Sequence, residues 1–387
     1  MQRRRVVVTG LGVVAAPGIG VDRFWKGLGE APGPGPHAVL DWDPESWIPR
    51  RESRRLDRFS QFALVAAAEA LETAGALTAH RDRTAVCVAT GIGGLASFEE
   101  LVQAAYADEV RASPLLVPMM MCNAAAAAIS IKYGFGGPAT TPVVACAAGN
   151  QAISDALRAI QWGYADAAIA GGAEGAIRPP TVTGFASARA LSPTLTARPF
   201  AVDRDGFVIG EGAGVLVLEE REMAQARGAT ILAELTGAAS TADAHHITAP
   251  HPQGEGAERA LRLALADAGL GPTDIGYVNA HGTGTDLNDL TEGQVIARVF
   301  ADHQPPVSSI KGVTGHALGA SGALEAVASV LALVHRSLPP NLGLTNQDPA
   351  IPLTDIVREP RPWDPRPIAS NSFGFGGHNT VLIISPP

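Results

Sequence analysis

The 387-residue chain predicts an α/β protein in which strands and helices alternate, and three observations carry that prediction. Short β-branched apolar runs alternate with segments whose apolar residues recur at helical spacing. The alternation runs from residue 5 to about residue 219 and restarts at Ile231. Hydrophobic residues make up 46% of the chain and charged residues 17%, which suits a large buried core and not a disordered segment. Elements in this order build mostly parallel sheets covered by helices.

Taken in order, residues 5–12 read as a strand entering a glycine turn, and residues 18–28 open a helix. The stretch APGPGP (31–36) is a loop, because proline locks φ and offers no N–H. Residues 50–75 read as one helix, with Phe59, Phe62, Ala66 and Ala70 on its apolar side and Arg50, Arg51, Arg54, Arg55 and Arg58 at its start. Residues 84–90 are a strand running into Gly91-Ile92-Gly93-Gly94, which lacks the full dinucleotide fingerprint. Met119, Met120 and Met121 precede an alanine run; unbranched thioethers fill core gaps or line a flexible channel. Val143 and Val144 end a buried strand, Cys146 occupies the turn, and Ile153, Ala156, Leu157 and Ile160 mark the helix that follows. Further strands are expected at 165–172, 207–219, 231–236 and 275–280, and helices at 220–227, 255–268 and 322–338, before a turn and final strand at 370–385. Both series begin on a strand and place a reactive side chain at a strand end. Two similar halves follow, 1–236 and 237–387, meeting near Gly237.

Charge and cysteine content exclude whole classes of function. The net charge of −9 argues against nucleic acid, so an acidic partner must meet a local basic patch. Three cysteines, Cys87, Cys122 and Cys146, show no paired spacing, which points to a reducing compartment, and no metal-ligand cluster appears. The apolar start MQRRRVVVTGLGVV is broken by Thr9, Gly10 and Gly12, so a first strand explains it better than a signal peptide. No apolar run in the sequence reads as a membrane span, and a soluble cytoplasmic protein is expected.

Four stretches carry chemistry. Cys146 lies where a strand hands over to a helix, and the unpaired N–H groups of that helix end favour thiolate over thiol. NAHGTGT (279–285) puts His281 at a strand end in a glycine-bordered loop. SSIKGVTGHALGASGALE (308–325) carries Lys311 and His316 ahead of a helix, and NSFGFGGHN (371–379) lets its backbone approach a neighbour closely. A strand-end cysteine, two histidines and a lysine form a set suited to moving acyl groups.

With RRVVVTGLG, VACAAG, AGGAE, RPFAVDRDGFVIGEGAGVLVLEE and STADAHHITAP added, the chain resembles the elongating β-ketoacyl-acyl-carrier-protein synthases nearly end to end. That resemblance implies a thiolase-like fold whose two βαβ-rich halves form a layered α-β-α-β-α body. It implies Cys146 as nucleophile, His281 and His316 as the histidine pair, and Lys311, partnered by Glu325 and by Asp289, as the group that steadies His316 and its loop. Phe375 gates acyl entry and shares an oxyanion site with the Cys146 amide; Ile92, Met119, Met120, Thr283, Thr285 and Phe373 contact substrate. The reaction implied is acyl transfer to Cys146, then decarboxylative condensation with a malonyl thioester. It needs no metal or cofactor beyond the carrier's phosphopantetheine arm. The acidic acyl carrier protein would meet Arg54, Arg55, Arg58, Arg111 and Arg204, and the second subunit would be an identical copy or a chain-length homologue.

The chain departs from the family pattern at Ala147 and Ala148, where a hydroxyl is common, and at Asp286, where proline is common. His378 is a further variant, and the region 31–51 is short. A biosynthetic thiolase needs a second cysteine, and none follows Cys146; initiating enzymes use Cys–His–Asn. A silent chain-length subunit would lack the cysteine altogether.

Overall fold

Ten strands in two sets of five carry the architecture of the computed structural model, which describes residues 3–40, 42–106, 113–301 and 303–387. The first set is β1 (Val6–Ala15), β2 (Thr84–Ala89), β3 (Ala139–Thr140), β4 (Ala167–Glu174) and β5 (Gly212–Glu220). The second is β6 (Ala233–Ala242), β7 (Tyr277–Asn279), β8 (Val307–Ser308), β9 (Ile368–Gly374) and β10 (His378–Ser385). In space the first set runs β3-β2-β4-β5-β1 and the second β8-β7-β9-β10-β6, the same order within each set. The sets meet edge to edge where β1 and β6 pair antiparallel, Val6 opposite Leu235 and Val8 opposite Ala233.

Each set is mixed, not mostly parallel. In the first, β3, β2 and β4 run parallel while β5 and β1 are antiparallel to their neighbours; in the second, β8, β7 and β9 run parallel while β10 and β6 do not. The cause in the second set is the short turn 375–377, which joins β9 to β10 and can connect only antiparallel strands.

Three apolar clusters mark five layers. Alternate residues of each strand point to opposite faces, so Val86, Val88, Val215 and Val217 pack outward against α1 (Arg58–Ala74). Ala85, Cys87, Leu216 and Leu218 pack inward against α2 (Ala148–Gln161), together with Leu382 and Ile384 of the other set. Val381 and Ile383 face the far side, against α3 (Glu255–Ala268) and α4 (Asp286–Val299). The remaining central helix, α5 (Ser321–His335), is buried at every residue from Ser321 to Leu333, and each enclosed Leu or Val contributes about 1.5–3 kcal/mol. Leu318–His335 is the one run among the described residues apolar and long enough to cross a membrane, and 89% of it lies inside the protein.

Local departures have local causes. The helix expected over 50–75 is broken into Arg50–Ser53 and α1, because Asp57 adopts an extended conformation and its carboxylate caps Phe59 N–H. Val143 and Val144 are not strand: β3 ends at Thr140 on the sheet edge, and Val143 is 46% exposed. Gly237, the expected junction, falls inside β6 opposite Ile383.

Candidate active site

A four-residue extended segment leads from β3 into a tight turn at Ala145–Ala147, and α2 starts at Ala148. Ala145 is held at φ 50°, a left-handed conformation that costs a non-glycine residue about 1 kcal/mol or more. That turn lifts Cys146 to the head of α2, where it is 7% exposed. Gly374, the last residue of β9, lies against it: a Cβ there would sit 3.1 Å from the Cys146 and Ala147 nitrogens. A side chain there would crowd the turn by a few tenths of an ångström, which glycine avoids. There the N–H groups of Phe375 and of Cys146 itself favour the sulfur anion.

The histidines come from the second strand set. His281 follows β7, and its loop is pinned by Glu292, whose carboxylate accepts from His281 N and Gly282 N, both at 2.8 Å, and from Asn371 Nδ2 at 3.0 Å. His316 is fixed by backbone bonds to Val208 O and from Gly210 N, and its Nδ1 lies 2.9 Å from Ser321 Oγ at the start of α5. The two rings stand edge to face with centroids 5.4 Å apart.

Lys311 is buried beside them in an ion pair with Glu325. Its ammonium donates to the His281 carbonyl at 2.7 Å and approaches His281 Nδ1 at 3.2 Å. An ammonium only donates, so Nδ1 is the acceptor and the ring proton of His281 sits on Nε2. Lys311 therefore orients His281, not His316. Asp289 is not its partner either: that carboxylate binds Phe200 N and Gly284 N and shapes the 283–285 turn.

Burial dominates the electrostatics. It holds both imidazoles well below the usual histidine range, helped by the nearby Lys311 charge, so both are neutral at pH 7. Burial also pushes the Cys146 thiol up to about 11, against the opposing pull of Lys311 and the Phe375 N–H. The helix end is outweighed, and the resting group is a thiol and not the thiolate expected from sequence. Glu325 is raised to about 7 by burial despite Lys311.

Cys146, His281 and His316 open on one cavity of about 320 Å³, which Thr283, Thr285, Phe373 and Phe375 also line. Thr283 and Thr285 face each other with hydroxyls 2.9 Å apart. Ile92, Met119 and Met120 are not among the lining residues; they cluster by the Gly91–Gly94 turn, where Gly94 packs on the Met119 carbonyl. The arginines divide as well. Arg54 and Arg55 are exposed, but Arg58 is bound to Glu211 and Val39 O. Arg204, 8% exposed, is bound to Asp348 and to the carbonyls of Ala201, Thr285 and Asp286. Arg111 lies outside the described residues.

Several groups escape the sequence reading. Arg189 lines the cavity mouth and has no ion-pair partner among the described residues. Phe185 and Phe207 enclose the site, Phe207 edge-on to His316 at 5.1 Å. Glu174 accepts from Thr90 Oγ1, Gly91 N and Gly319 N, tying a loop of one strand set to a loop of the other. The AGGAE stretch is the one sequence signal that pointed toward it.

A buried thiol, two neutral imidazoles and two backbone donors around one cavity define a site for acyl transfer through a thioester. Residues 37–224 match the family description "Beta-ketoacyl synthase, N-terminal domain" and residues 232–345 match "Beta-ketoacyl synthase, C-terminal domain", and the chain belongs to this family of acyl-transferring condensing enzymes. It is 45% identical to a 3-oxoacyl-[acyl-carrier-protein] synthase 2 of Synechocystis sp., with 99% of this chain and 98% of that one covered. It is 41% identical to the enzyme of the same name from Staphylococcus aureus, with 99% and 98% covered. Among solved structures, the ishigamide ketosynthase/chain length factor superposes with a TM-score of 0.93 at 35% identity over the whole of both chains. A type II polyketide synthase acyl-carrier protein in complex with its ketosynthase bound to the hexaketide gives 0.91 at 31%, again over the whole of both chains. Enzymes of this family need no cofactor of their own.

Proposed function

We propose that the protein is an elongating β-ketoacyl-acyl-carrier-protein synthase of a type II fatty-acid or polyketide system, acting in the cytoplasm. The observation that carries the reading is the convergence of Cys146, His281 and His316 on one cavity with the Phe375 and Cys146 amides at the sulfur.

In the first half-reaction Cys146 sulfur attacks the carbonyl carbon of a carrier-borne acyl thioester. The C–S bond to the carrier's pantetheine breaks, and the Cys146 proton ends on the departing thiol. Because the resting thiol is protonated, the transfer proceeds without a standing thiolate. The negative oxygen that forms is met by the N–H groups of Phe375 and Cys146, a preorganised pair in which one donor is worth about 3–4 kcal/mol.

In the second, the malonyl carboxylate leaves as CO₂ and its electron pair moves to C2 and the thioester oxygen. Nε2–H of His281, fixed by Lys311, and the ring of His316 hold that oxygen. C2 then attacks the acyl carbon, the Cys146 C–S bond breaks, and the thiolate takes a proton from solvent. Thr283 and Thr285 receive the pantetheine amides. The acyl chain runs past Leu318, which lines the cavity and packs beside Cys146.

Arg54, Arg55 and Arg189 receive the carrier. A second subunit, an identical copy or a chain-length homologue, covers the β3 edge, where Val143 is 46% and Ile131 82% exposed, strand edges and apolar surface of this kind being ones proteins cover. We divide the chain between Ala226 and Ala233, since the repeated strand order starts again at β6, a little before the 237 junction of the sequence reading.

Intact-protein mass spectrometry tests the reaction. Incubation with acyl carrier thioester should add one acyl mass to the wild type and none to Cys146→Ala. An acyl adduct retained in Cys146→Ala overturns the assignment.

A further inference from the structure

The mouth of the cavity carries a charge that the reaction does not use. Asp286 is the first residue of α4, a 14-residue helix whose N-terminal end opens on the mouth through Thr285, Asp286, Leu287 and Asn288. Its side chain is 80% exposed, and its nearest cation, Arg204 Nε at 3.9 Å, is already committed to Asp348. The other carboxylates at the mouth are engaged: Asp205 pairs with Arg198, and Asp243 accepts from Asn379 Nδ2 and His251 N. Asp286 is thus the solvated negative charge at the entrance, on the same cavity that Arg189 lines.

A bare helix start there would attract anions, because its first N–H groups and dipole present positive charge. Asp286 cancels that attraction at the one place where a phosphate-bearing substrate must pass. A carrier-borne thioester brings a single phosphodiester. A coenzyme A thioester brings the same arm with a diphosphate and a further phosphate, and it meets the carboxylate.

We propose that Asp286 is a specificity-determining residue that disfavours coenzyme A thioesters relative to carrier-borne ones. The proposal rests on the carrier-dependent reading above. Each exposed charge pair at the mouth is weak and screened over about 8 Å at physiological salt, so the expected discrimination is modest, about threefold.

The test compares kcat/KM for malonyl coenzyme A and malonyl carrier protein, each normalised to a phosphate-free malonyl N-acetylcysteamine thioester. Asp286→Asn removes the charge at constant shape, and Asp286→Pro removes it with a residue suited to the first helical position. Both should raise the coenzyme A to carrier ratio about threefold at low salt, and the gain should shrink at 0.5 M salt. A ratio unmoved in both variants, with the wild type active on carrier substrate, overturns this inference alone. A wild type inactive on the carrier substrate overturns the carrier reading and this inference together.

Discussion

The two strand sets share one order, and they differ in what they place at equivalent ends. In the first set the third strand, β3, leads to Cys146 and the start of α2; in the second, β8 leads to Lys311, His316 and the start of α5. After the second strand, β2 gives only the glycine turn at Gly91, whereas β7 gives His281. The first set therefore supplies the cavity's thiol with a single buried carboxylate, Glu174, acting on it from its own strands. The second supplies side-chain donors on a foundation of buried ions: Lys311–Glu325, Asp289 and Glu292. One strand order, used twice, carries two different sets of side chains.

The comparison breaks most sharply at the histidines. His281→Ala and His316→Ala should each cut malonyl decarboxylation about 10²–10³-fold while leaving acyl transfer to Cys146 measurable by mass spectrometry. Equal loss of both half-reactions would erase the division between the two sets. Next comes the ionic foundation. Lys311→Met strands the Glu325 carboxylate and should destabilise the fold by about 3–5 kcal/mol in urea unfolding, whereas Lys311→Met with Glu325→Gln should recover much of it. Recovery of stability without recovery of decarboxylation would mark Lys311 as the group that orients His281.

Titration sharpens the same contrast. Both histidines are held below their unfolded value of about 6.5, so the unfolded chain binds protons first as pH falls. The histidine share of stability should be constant above about pH 7 and lost below about pH 6.5. Glu174 and Glu325, both raised to about 7, take up protons in the folded state over that range and oppose the loss. The melting temperature of the wild type compared with His281→Gln therefore isolates the histidine share. On the nucleophile side, alkylation of Cys146 by iodoacetamide should rise steadily with pH toward about 11, with no plateau near 8. The smallest effect belongs to the surface. Arg54→Glu with Arg55→Glu should raise KM for the carrier substrate about three- to tenfold and spare small acyl thioesters, as expected of a weak, screened contact.

Much of this was legible in the sequence. The central residues Cys146, His281 and His316 announce themselves because each stands in a short glycine-bearing stretch, VACAAG, NAHGTGT or KGVTGHALG, and the α3 helix was bounded at both ends by its spacing. What failed was long-range by nature. Which histidine Lys311 serves is set by the packing of β7 against the 308–316 segment, and no local spacing encodes it. The mixed second set follows from the β9–β10 hairpin, and the first from a long return over 175–211, and a strand–helix alternation conceals both. Arg58 and Arg204 look like free surface charge, yet their partners, Glu211 and Asp348, lie far along the chain. The thiol's protonation was misjudged because a helix end is a local signal and burial is a property of the whole fold.

The contact between Gly374 and the Cys146 amide reaches beyond catalysis. One of the two donors that make Cys146 useful is borne by Phe375, which a ribosome adds long after the cysteine itself. A growing or partly folded chain thus holds a solitary thiol in an unfinished pocket. Docking of the closing hairpin completes the surroundings of that thiol only when the rest of the molecule is in place.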